Sequence, residues 1–89
     1  MLLDSNYDEA RDKWEVNLYG EVDIYNADGL KSQLHALIEE RQADIILDCT
    51  NLKYIDSTGL GVLVSALKKV REAGKQIKII NLFQAVFIS

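Results

Sequence analysis

From Trp14 to Ile80 the spacing of apolar side chains switches back and forth between the period of a strand and the period of a helix, and few folds accept that order. Trp14, Val16 and Leu18 share one side of an extended segment, with Glu15, Asn17 and Tyr19 on the other. This is the pattern of a half-buried strand, and Gly20 ends it. Leu30, Leu34, Leu37 and Ile38 recur at i, i+4, i+7 and i+8 and predict a helix, with Asn26 or Asp28 as its cap. The apolar run Ile45-Ile46-Leu47, within Ala43 to Cys49, predicts a strand covered on both faces. Asn51 to Ile55 reads as a short connection. Leu60, Leu63, Val64, Leu67 and Val70 predict the buried stripe of a second helix, from about Ser57 to Ala73, with Gly74 as its stop. Ile77, Ile79 and Ile80 predict a further strand.

Strands alternating with helices predict parallel pairing through crossover connections. The expected fold is α/β: a small mixed, mostly parallel β-sheet with helices packed mainly on one face. The weaker segment 2–10, opened by Leu2 and Leu3, is expected to add an antiparallel edge beside the first strand. With 89 residues, a single domain over 1–89 is expected.

The formal net charge of −4 argues against a nucleic-acid partner and against docking on anionic membranes. Cys49 is the sole cysteine, which excludes an intramolecular disulfide and fits a reducing compartment. Apolar runs fall short of the ~18 residues of a membrane helix. Asp4, Asp8 and Glu9 interrupt the N-terminus where a signal peptide has its apolar core. The expected location is cytoplasmic.

The most informative stretch is Asp56-Ser57-Thr58-Gly59-Leu60-Gly61, which follows a buried strand and opens a helix. Glycine in a helix costs ~1 kcal/mol relative to alanine, so a purely structural helix has no use for two in its first turns. Glycine there lets another chain or a ligand come close to the backbone. Free N–H groups and the helix dipole favour an anion at this end, and a serine here can carry a phosphate without wrecking the helix. Three readings stand side by side: ordinary capping by Asp56, Ser57 or Thr58, a phosphate acceptor, or a small anion site. The glycine spacing and the missing lysine exclude a P-loop. Asp23 and Asp56 could form a carboxylate pair, but no nucleophile–histidine pair accompanies them, so no enzyme is expected. His35 reads as a surface or boundary residue, and it cannot build a metal centre with Cys49 alone. Lys68, Lys69, Arg71 and Lys75 read as a solvated helix end.

Gly20-Glu21-Val22-Asp23-Ile24-Tyr25-Asn26-Ala27, followed by Tyr54-Ile55-Asp56-Ser57-Thr58-Gly59-Leu60-Gly61-Val62, resembles the STAS domain of anti-sigma factor antagonists. The resemblance runs from about Trp14 to Asn81. It implies that Ser57, the serine directly after the aspartate, is the phosphorylated residue. It also implies a partner: an anti-sigma factor that is a serine kinase, bound by the unphosphorylated chain so that a sigma factor is released. A metal-dependent serine/threonine phosphatase would reverse the modification. The chain would hold no cofactor, since ATP and magnesium belong to the kinase. The implied contact surface comprises Glu21, Asp23, Ile24, Tyr25 and Asn26 together with Asp56, Ser57, Thr58, Gly59, Leu60 and Gly61.

The chain departs from that family at its end. Residues 82–89 are too few for the further helix and strand expected there, so a shortened C-terminal end is expected. This tail carries Leu82, Phe83, Val86, Phe87 and Ile88, and is expected to pack as one short element or to pair with a second copy of the chain. The competing functional reading is a STAS scaffold or accessory subunit of a transport or signalling complex that works without phosphorylation.

Overall fold

The computed structural model describes residues 2–82. Their elements are β1 (Leu3–Asp8), β2 (Lys13–Val22), α1 (Ala27–Glu40), β3 (Asp44–Ile55), α2 (Ser57–Glu72) and β4 (Ile77–Ile80). The sheet order is β1-β2-β3-β4. β1 runs antiparallel to β2, with Leu3 opposite Leu18 and Asp8 opposite Lys13. The β2–β3 and β3–β4 pairs are parallel. The mixed, mostly parallel sheet expected from the alternating periods is what forms, and residues 2–10 supply the antiparallel edge. Of the tail 82–89, Leu82 is half-buried and packs against the core; the readings made for the rest, including pairing with a second copy, fall on residues 83–89 and lie outside the described residues. Among the described residues, no helix is long and apolar enough to cross a membrane.

Period two puts one face of the sheet in the core. Trp14, Val16, Leu18 and Val22 are buried on β2, while Glu15, Asn17 and Tyr19 are only half-buried on the other face. The stripe of α1 packs as its spacing predicts: Leu30, Leu34, Leu37 and Ile38 are all buried. Trp14 closes the sheet end away from the parallel strands' C-termini. Its indole N–H donates to the Arg41 carbonyl oxygen at 3.0 Å, and its ring meets Tyr7 edge-on at 5.3 Å.

Three local expectations need correcting. Ile46 is only half-buried, so β3 is covered on one face and not on two. Asn51–Ile55 is not a connection but the second half of β3. The register explains why the segment does not look like a strand. Asn17 pairs with Asp48 but Tyr19 with Asn51, and Gly20 pairs with Leu52 but Glu21 with Tyr54. Each step leaves one extra residue on β3, which is a β-bulge. The inward face therefore advances by three residues at a time, from Cys49 to Leu52 to Ile55, all buried. Asp48 supports the first bulge, since its Oδ1 accepts from the Thr50 amide at 2.9 Å and the Thr50 hydroxyl at 2.6 Å.

The third correction concerns α2. Its buried residues are Gly59, Val62, Leu63, Ala66 and Val70, whereas Leu60 and Leu67 are half-buried and Val64 is 50% exposed. The buried face is thus rotated away from the bulkiest side chains and toward a glycine and an alanine, which let the helix lie close to its neighbours. α1 and α2 also share a polar seam. His35 Nε2 lies 3.0 Å from Ser65 Oγ, and Lys69 pairs with Glu39 at 3.0 Å. Burial, then the charges of Lys69 and Lys31, hold the His35 imidazole below its ordinary value of 6.5.

Candidate functional site

The β2–α1 loop and the start of α2 meet at the C-terminal end of the parallel strands, the end where open α/β sheets place their functional residues. Val22 and Ile55, the last residues of β2 and β3, are register partners and both fully buried. The Asp56 amide donates to the Val22 carbonyl oxygen at 3.2 Å, so the helix start is tied by its backbone to the end of the neighbouring strand.

Asp56 is the N-cap of α2. It has an extended backbone, and its Oδ1 accepts from the Gly59 amide at 2.9 Å while its carbonyl oxygen accepts from the Leu60 amide at 2.9 Å. Of the candidate capping residues, the aspartate takes this role. Ser57 is the first helical residue and is exposed, as is Thr58. Its hydroxyl therefore stands at the positive end of the helix without being used to seal it.

The two glycines of the motif differ. A Cβ on Gly59 would stand 2.5 Å from Ile55 Cγ1 and 2.8 Å from Val22 Cγ1, so bareness at 59 is demanded by the protein's own core. Gly59 is buried and does not offer its surface to another chain. Gly61 is exposed, and a Cβ there would meet nothing within 4 Å beyond the helix's own neighbouring backbone. The expectation that glycine leaves room for an incoming chain fits Gly61 alone.

The loop from β2 to α1 is held by its own side chains. The Asp23 amide donates to Asn26 Oδ1 at 2.9 Å, and the Tyr25 amide donates to Asp23 Oδ1 at 2.9 Å. Asn26 Nδ2 donates to the Glu21 carbonyl oxygen at 2.8 Å. With Asp23 and Asn26 turned to turn-forming work, Ile24 and Tyr25 are pushed outward, 67% and 93% exposed. Glu21 is exposed as well. The structure thus brings Glu21, Asp23, Ile24, Tyr25, Asn26, Asp56, Ser57 and Gly61 to one end of the sheet.

Sequence reasoning missed Val64. At i+7 from Ser57 and i+3 from Gly61 it shares their helix face, and it is half exposed although it was expected in the core. Taking Asp56 as the cap and Gly59 as the inward residue would have shown the true phase of the helix. Cys49 is buried, and burial pushes its thiol up to about 11, which leaves it unreactive near neutral pH. Among the described residues there is no group of three or more His, Cys, Asp or Glu able to hold a metal ion.

Among the described residues, a mixed four-stranded sheet backed by two helices, with a serine displayed at the start of the helix after the central parallel strand, defines a small α/β fold. The chain belongs to the STAS domain family, whose model matches residues 8–87. A Bacillus subtilis (strain 168) protein named anti-sigma-B factor antagonist is 41% identical over 68 residues, covering 76% of this chain and 62% of that relative. The chain thus spans under two thirds of that relative's length. Among solved structures, an antisigma-factor antagonist STAS domain from Rhodobacter sphaeroides superposes with a TM-score of 0.78 at 16% identity, covering 93% of this chain and 88% of that one. The anti-sigma factor antagonist SpoIIAA in its unphosphorylated form gives 0.72 at 16% identity, over 98% of this chain and 86% of that one. At these identities the structural likeness is one of fold.

Proposed function

We propose that this chain is an anti-sigma factor antagonist whose affinity for its partner is switched by phosphorylation of Ser57. In the unmodified form it binds an anti-sigma factor that is also a serine kinase, and a sigma factor is freed. The kinase, with its own ATP and magnesium, transfers the terminal phosphoryl group to the Ser57 oxygen; the hydroxyl proton leaves and ADP is released. A metal-dependent serine/threonine phosphatase hydrolyses the ester and restores the binding form. The chain is the partner and the substrate in this scheme, not the catalyst.

The observation that carries the reading is the division of labour at the start of α2. Asp56 caps the helix through the Gly59 amide at 2.9 Å, and Ser57 beside it is exposed and left over. The relative's name and the match to the STAS family support the same role. The apolar side chains Ile24, Tyr25 and Val64 give a partner something to cover. A phosphate on Ser57 adds a charge of about −1.5 to −2. It adds it at an end of the sheet that already carries Glu21, Asp23 and Asp56. An unmatched charge enclosed in an interface is expensive, so one modification separates the two binding states.

The test is incubation with a candidate kinase, ATP and magnesium, with the modified residue located by mass spectrometry and affinity measured before and after. Phosphate on Ser57 with loss of kinase binding is the expected result. Modification elsewhere, or a phosphorylated chain that binds as well as before, removes the proposal.

A further inference from the structure

We infer that Gly61 is a clearance residue for Ser57: its missing side chain keeps the serine hydroxyl open to the phosphoryl donor. The inference rests on the reading of Ser57 as the phosphoryl acceptor and adds to it the residue that governs access.

Ser57 and Gly61 are four positions apart in α2, and both are exposed. Residues at i and i+4 are neighbours on a helix surface, about 5–6 Å apart between their Cβ positions. Each Cα–Cβ bond in a helix tilts toward the N-terminus, so a side chain covers the turn that precedes its own Cα. The turn that precedes position 61 on this face carries Ser57. A long side chain at 61 would lie over the hydroxyl.

Among the described residues, nothing packed against the helix forces glycine there. Apart from the helix's own neighbouring backbone, a Cβ at 61 meets nothing within 4 Å among the described residues, in contrast to Gly59, whose Cβ would collide with Ile55 and Val22. Glycine also destabilises a helix interior relative to alanine. The chain therefore keeps, on the exposed face one turn beyond Ser57, a residue that weakens its own helix and relieves no crowding within it. Access to Ser57 is the property that bareness at 61 provides.

The test separates coverage from helix stiffness and does not depend on the kinase. In a Ser57→Cys background, alkylation of the new thiol by iodoacetamide is followed by mass spectrometry in three proteins: with Gly61 kept, with Gly61→Ala and with Gly61→Leu. Cys49 contributes little background, because it is buried with its thiol pushed up to about 11. Leucine is expected to slow alkylation about tenfold, while alanine, which stiffens the helix but reaches no further than Cβ, leaves the rate within about twofold. Both substitutions are expected to raise the melting temperature, which separates a slow rate from misfolding. A leucine variant alkylated at the parent rate overturns the inference, and so does an alanine variant slowed as much as leucine. In a second arm with Ser57 retained, Gly61→Leu should slow phosphorylation by the kinase about tenfold relative to the parent. A parent that is phosphorylated alongside an equally fast leucine variant also overturns the inference. A parent that is not phosphorylated at all counts against the kinase reading instead, and alkylation still decides the role of Gly61.

Discussion

Gly59 of α2 rests on Ile55 of β3 so closely that a single added carbon would stand 2.5 Å from Ile55 Cγ1. The same carbon would stand 2.8 Å from Val22 Cγ1, and both partners are fully buried. Overpacking of this kind costs roughly 1–3 kcal/mol, and the gain in helix propensity from glycine to alanine offsets about 1 kcal/mol of it. Gly59→Ala is expected to lower the unfolding free energy in a urea titration, whereas Gly61→Ala raises it. Equal effects at the two positions would contradict the packing described for Gly59.

Asp56→Ala removes the acceptor for the Gly59 amide and should destabilise the protein by about 1 kcal/mol, within the range of lost N-caps. Asp56→Asn keeps a side-chain oxygen in place and should cost only a few tenths of that. Chemical denaturation of the three proteins side by side gives the comparison. If alanine and asparagine are equally mild, the cap is not contributing.

Ser57→Ala should leave stability within about 0.5 kcal/mol of the parent, because the residue is exposed and the cap lies elsewhere. Ser57→Asp should fold equally well but bind the proposed partner kinase at least about tenfold more weakly, a loss of about 1.4 kcal/mol. Calorimetry on both variants separates the two effects. Binding of Ser57→Asp at the parent affinity would remove the electrostatic basis of the switch.

The α1–α2 seam makes stability depend on pH. His35 has a folded-state value below its ordinary 6.5, so between these two values the unfolded chain binds more protons than the folded one. The stability it contributes is fully present above about 6.5 and is lost as pH falls through its lower folded value. The carboxyls of Asp4, Asp48 and Glu39 are held below their ordinary values, by Tyr19, Thr50 and Lys69 respectively, so their losses fall in a more acidic window. Urea midpoints of the parent should decline as pH drops below 6.5 and before the carboxylates titrate. His35→Gln should flatten that part of the curve. An unchanged slope in the variant would assign the decline to other groups.

Much of this architecture can be read from residue spacing, where one period persists long enough to be unambiguous. Trp14-Val16-Leu18 alternates cleanly and forms the inward face of β2; Leu30, Leu34, Leu37 and Ile38 line α1 as their spacing requires. The second half of β3 is hidden because its two bulges break the period at the point where a strand would be recognised. The phase of α2 is misread for a different reason. Hydrophobic size points to Leu60 and Val64, but the helix lies down on Gly59 and Ala66, and close approach outweighs bulk. The site inherits that difficulty. Its polar members stand out as a motif, whereas Val64 becomes visible as a surface residue only once the helix phase is known.

The aspartate that seals α2 sits one position before the serine, and this separation has a mechanical consequence. An oxygen that carried the first turn of the helix could not be esterified without loosening that turn, and each round of modification would require the scaffold to be remade. Here the oxygen of Ser57 is surplus to the architecture. A group attached to it or stripped from it changes the outline the molecule shows to others while the framework beneath stays closed.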